Sequence, residues 1–143
     1  MKTIAWFLVA GLSISAVAVA AENAKTAVQP IVVAGFTAYK THGVEAAMLA
    51  WTAGGPLQGN REAHSRDFRQ VEASYGEYQT YHLVQTVVIS ETCEITYAQV
   101  DYASGPLFLK FLLFKGKNGW RTVQLRFHAE IEQVWPSNLW SGS

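Results

Sequence analysis

Apolar residues recur at helical spacing in the first part of this chain and at a spacing of two in the rest, with the change near residue 77. Pro30 opens a segment in which Val32, Val33, Phe36 and Tyr39 share a face, and Gly43 is placed to stop it. Val44, Ala47, Met48 and Trp51 follow at i, i+3, i+4 and i+7, and Gly54-Gly55-Pro56 ends that second helix. A loop over 55–60 leads to a third helix, with Asn60 as its N-cap and Glu62 in its first turn. There His64, Phe68, Val71 and Tyr75 form the apolar stripe, Glu62 and Arg66 are spaced to pair on the wet face, and Gly76 closes the helix. The later period predicts four strands over 78–91, 93–103, 106–115 and 120–132, because the residue types also turn β-branched and aromatic. Ser104-Gly105-Pro106 and the Asn118-Gly119 pair mark tight reversals, so the strands form an antiparallel meander.

Two strands differ in their patterning. In the last, Val123, Leu125, Phe127, Ala129 and Ile131 point one way, while Thr122, Gln124, Arg126, His128 and Glu130 point the other. The third is apolar on both faces from Leu107 to Phe114 apart from Lys110, so both faces need cover. Helices cover one. A partner, a ligand or the chain's own end, which carries Trp135, Leu139 and Trp140, must cover the other. The fold class is therefore α+β: three N-terminal helices packed on a curved four-stranded antiparallel sheet.

The first residues add an address. Lys2, the apolar run from Ile4 and the small residues Ala18 and Ala20 have the three parts of a secretory signal peptide over 1–21. The run falls just short of the roughly 20 residues a membrane span needs, and no basic cluster follows it. Residues 22–29 read as a polar tether, 30–135 as one domain and 136–143 as a C-terminal tail. The expected location is the periplasm of a Gram-negative-type cell or the exterior, with no stable membrane anchor after cleavage. Eleven basic residues balance eleven acidic ones, with no basic run, which argues against nucleic acid as a partner. A single cysteine, Cys93, excludes an intrachain disulfide, so packing must hold the domain; five Trp, six Tyr and seven Phe supply the rings.

The helix Val44–Trp51 ending in Gly54-Gly55, the long meander, and Phe111-Leu112-Leu113-Phe114 followed by Asn118-Gly119-Trp120 resemble the nuclear-transport-factor-2-like superfamily. That superfamily includes ketosteroid isomerase and polyketide-cyclase-like proteins, and the likeness spans about residues 30 to 135. The resemblance implies a cone-like fold with a cavity between helices and concave sheet, and a homodimer through the outer sheet face. The isomerase-like members use an acid in the cavity. Glu94 and Asp101, the mid-sheet carboxylates, lie on opposite faces of one strand, and neither has neighbours that mark an active-site acid.

Candidate chemistry is sparse. His64 sits on the apolar stripe one turn before Phe68, where it could serve as acid or base; a partly exposed histidine in the first turn of a helix, or one bonded to a backbone group, is the simpler reading. His64 and Asp67 are three apart, a spacing that orients a ring but supplies two metal ligands at most, so no metal site is expected. Gln124, Arg126 and His128 form a polar row that the alternation places outside the cavity. No Ser stands in a nucleophile-elbow context, and no glycine-rich loop follows a strand to cradle phosphate; no cofactor is expected. Trp51, Phe68, Tyr75, Tyr81, Tyr97 and Trp120 are the rings available to line a cavity, and the expected ligand contacts are Tyr39, Trp51, His64, Phe68, Tyr75 and Tyr97. The expected role is a non-catalytic exported domain that binds a small apolar molecule or an envelope protein. The alternatives are an isomerase, cyclase or dehydratase using His64 with a carboxylate, and an accessory component of an envelope assembly.

Overall fold

A computed structural model describes residues 27–141. The expected signal peptide over 1–21 and most of the tether lie outside the described residues. Helices α1 (Pro30–His42), α2 (Val44–Thr52) and α3 (Arg61–Tyr75) precede strands β1 (Tyr78–Ser90), β2 (Cys93–Tyr102), β3 (Gly105–Gly116) and β4 (Gly119–His128). The strands pair antiparallel in the order β1-β2-β3-β4, and three register shifts along β1 and one between β3 and β4 bend the sheet. This is the α+β architecture the patterning predicts.

The helices bury the faces their spacing marked. Val32, Phe36 and Tyr39 of α1, Val44, Ala47, Met48 and Trp51 of α2, and Phe68 of α3 meet the inner row Leu107, Leu109, Phe111 and Leu113 of β3. Close approach requires a glycine at Gly35, where a Cβ would fall 2.0 Å from the Trp51 indole nitrogen. That nitrogen donates to the Val32 carbonyl at 3.0 Å, which locks α1 against α2.

Four local expectations change. The stretch before α3 is not an open loop but a 3-10 turn, Pro56–Asn60, that runs straight into the helix. Asn60 accordingly makes no side-chain cap bond, because the preceding turn already supplies the carbonyls. Arg69, not Arg66, makes the ion pair of α3, and its partner is Glu45 on α2. On β4 a bulge at Val123 reverses the phase: Leu113 faces Thr122 and Leu112 faces Gln124, so Thr122 turns inward beside Leu125, not outward with Gln124. The Thr122 hydroxyl is buried there without a hydrogen-bond partner.

The largest difference lies at the end of β4. The strand stops at His128, short of the predicted 132, and Ile131–Gln133 forms a 3-10 turn. The chain then folds back over the outer face of the sheet, where Val134 and Trp135 pack with Tyr97 of β2 and Phe108 of β3. The Trp135 indole donates to the Leu109 carbonyl at 3.0 Å. The second apolar face of β3 is thus covered in its middle by the chain's own end, while Trp140 stays 41% exposed.

Candidate functional site

The interior between helices and sheet, where a cavity was expected, is filled by rings. Phe36 stacks on Tyr81 at 4.3 Å and meets Trp51 edge-on at 4.9 Å, and Trp51 lies 5.3 Å from Phe111. Trp51 and Phe68, two of the expected ligand contacts, are fully buried packing residues. Tyr97 lies on the other side of the sheet, against Trp135, because its position on β2 alternates with the inward Thr96 and Ala98. Burial raises its phenol pKa.

Among several concavities on the surface of the described residues, the one lined by the most apolar residues is a groove of about 340 Å³ along one flank of α3. Asp67, Gln70, Val71, Ser74 and Tyr75 recur at three- and four-residue steps and so share that flank. Opposite them stand Leu107 at the start of β3 and Phe127, His128 and Ala129 at the end of β4. The groove opens where the chain leaves the sheet after His128, so that β4 no longer runs opposite the flank of α3 beyond Phe68. Its floor is firm: the Phe127 ring meets Phe68 edge-on at 4.3 Å.

The polar groups of the groove have defined roles. His128 Nδ1 accepts the Glu130 backbone N–H at 2.9 Å, which leaves the ring's proton on Nε2. The Ser74 hydroxyl donates to the Gln70 carbonyl at 3.0 Å and keeps its lone pairs for another donor. Asp67 makes no hydrogen bond or ion pair among the described residues. His64 lies one turn away, half-buried, with its ring 6.2 Å from Phe127, and it makes no hydrogen bond to a carboxylate among the described residues.

Behind the groove is a buried hydroxyl chain. Tyr39 Oη donates to Glu72 Oε2 at 2.7 Å, which spends its one proton, so Tyr102 Oη must be the donor in its 2.9 Å bond to Tyr39. Burial pushes the Tyr102 phenol up to about 12. Burial first, and then the bonds to Tyr102 and Glu72, raise the Tyr39 phenol far above its ordinary range. The Tyr75 ring, which lines the groove, lies 6.5 Å from that of Tyr102.

The two mid-sheet carboxylates do lie on opposite faces. Glu94 is inward and buried, accepting from Gln29 at 2.9 Å. Asp101 is outward; hydrogen bonds from Gln99 at 2.6 Å and then His82 at 2.9 Å hold its carboxyl below the usual range. Neither reaches the groove. Of the six expected ligand contacts the groove takes Tyr75 alone. Asp67 was visible in the sequence only as a neighbour of His64, and Phe127, His128 and Ala129 only as positions in an alternating strand.

No family model and no curated protein matches the chain. A solved structure does: an NTF-2-like protein of unknown function from Silicibacter pomeroyi DSS-3, 14% identical, covering 69% of this chain and 90% of that one, with a TM-score of 0.48.

Proposed function

We propose that this protein is an exported, non-catalytic binding domain, and that the groove between α3 and the end of β4 holds a small molecule with an apolar body. Export is supported by the tripartite pattern over 1–21. The observation that carries the binding reading is the groove's makeup: a floor of Val71, Leu107 and Phe127, with a carboxylate that has no partner among the described residues and oriented polar groups at its rim. Its 340 Å³ lies at the small end of the range of ligand sites, about 300–1,000 Å³. A molecule of about a dozen non-hydrogen atoms at roughly 0.3–0.5 kcal/mol each gives a Kd between about 2 mM and tens of micromolar. The acid–base alternative draws no comparable support, since His64 packs on an aromatic ring and has no carboxylate bound to it among the described residues.

A fragment screen read by amide and methyl NMR shifts tests this. Fragments should move Val71, Leu107, Phe127 and Ala129 together. Ala129 is exposed at the mouth, so Ala129→Trp should fill the groove, keep the fold and abolish those shifts. Shifts that persist in Ala129→Trp, or no fragment that moves these residues, would refute the proposal. A homodimer through the outer face, expected from the sequence, would have to form beside the tail, over Leu112 and the 40% exposed Phe114.

A further inference from the structure

We infer that the groove takes molecules whose polar end is a cation, an ammonium or amidinium on an apolar body, and discriminates against carboxylates; this rests on the binding reading above. Three features facing the groove are electron-rich. The first is the Asp67 carboxylate, the charged member of the lining, which has no partner among the described residues. The second is Ser74: with its proton given to the Gln70 carbonyl, its oxygen is left as an acceptor. The third is the pair of aromatic rings, Tyr75 and Phe127, whose faces attract a cation.

The lining contains no Lys or Arg. Arg69, on the same helix, is turned toward α2 and occupied by Glu45. Against these stands His128, whose Nε2–H can donate to a ligand oxygen, and the Gln70 amide, which can do either. One imidazole N–H does not make an anion site in a lining that also carries the Asp67 carboxylate and no Lys or Arg, because the negative charge of Asp67 opposes a second anion in the same small groove. A cation meets the Asp67 carboxylate with aromatic rings in the same lining, and Ser74, two helical turns further along α3, offers its lone pairs to a second donor on the ligand.

Three probes of one shape and different charge decide it: 4-phenylbutylamine, 4-phenylbutan-1-ol and 4-phenylbutanoate, each titrated at low ionic strength and followed at Val71, Tyr75 and Ala129. The amine should bind about tenfold more tightly than the carboxylate, with the alcohol between them. Asp67→Asn, at an exposed helix position, should bring the amine down to the affinity of the alcohol, and added salt should narrow the same gap. Equal affinities for amine and carboxylate, or a preference that survives Asp67→Asn, overturn the inference while leaving the groove a binding site. Loss of all binding here, together with a fragment screen that leaves these residues unmoved, overturns the groove itself.

Discussion

Tyr102 has one hydroxyl proton, committed to Tyr39, whose own proton is committed to Glu72, so α1, α3 and β2 meet through a one-way chain of hydrogen bonds. Such a chain tolerates no ionisation of its buried phenols. With Tyr102 at about 12 in the fold and a free tyrosine near 10, its contribution to stability is complete below about pH 10 and is lost as the pH climbs toward about 12. The gap corresponds to roughly 3 kcal/mol. Urea unfolding between pH 8 and 11.5 should therefore show a steep alkaline decline. Tyr102→Phe should lose about 1 kcal/mol at neutral pH, because it leaves the Tyr39 oxygen short of a donor, yet decline less steeply above pH 10. Parallel alkaline slopes for the two proteins would remove Tyr102 as the cause.

Among the elements, the C-terminal turn carries more weight than its length suggests. Trp135 is 6% exposed, packs edge-on against Phe108 at 5.0 Å and donates to a strand carbonyl, whereas Trp140 a few residues later is 41% exposed. Trp135→Ala should cost about 3–5 kcal/mol and expose surface that binds a hydrophobic dye. Trp140→Ala should stay within about 0.5 kcal/mol in the same denaturant series. The helices were legible because local residues punctuate them: Pro30, Gly43, Gly54-Gly55-Pro56 and Gly76 bracket them within a residue or two. The end of β4 was not, because Ala129 and Ile131 continue its alternation and the departure is set by Trp135 finding Leu109, a contact 26 residues away. The bulge at Val123 was equally hidden, since an extra residue leaves no compositional mark. The groove inherits that obscurity: its α3 flank could be counted off the sequence, but its opposite wall exists where β4 stops.

At the scale of the whole molecule the sheet is a wall between two apolar layers, the large one under the helices and the small one under the tail. Two indole N–H groups report on them separately: Trp51 bonds to Val32 on one side and Trp135 to Leu109 on the other. If the layers open together, both indoles should exchange with solvent deuterium at rates set by one global unfolding free energy. A Trp135 indole that exchanges orders of magnitude sooner would mark the tail as a separate unit. The order of synthesis adds a constraint of its own. Leu109 and Phe108 are made more than twenty residues before the tryptophan that covers them. At translation rates of about 5–20 residues per second, the meander spends a second or more with its outer face bare. A nascent chain in that interval is a half-roofed sheet, open to a chaperone or to a second nascent copy, and the arrival of Trp135 closes that window.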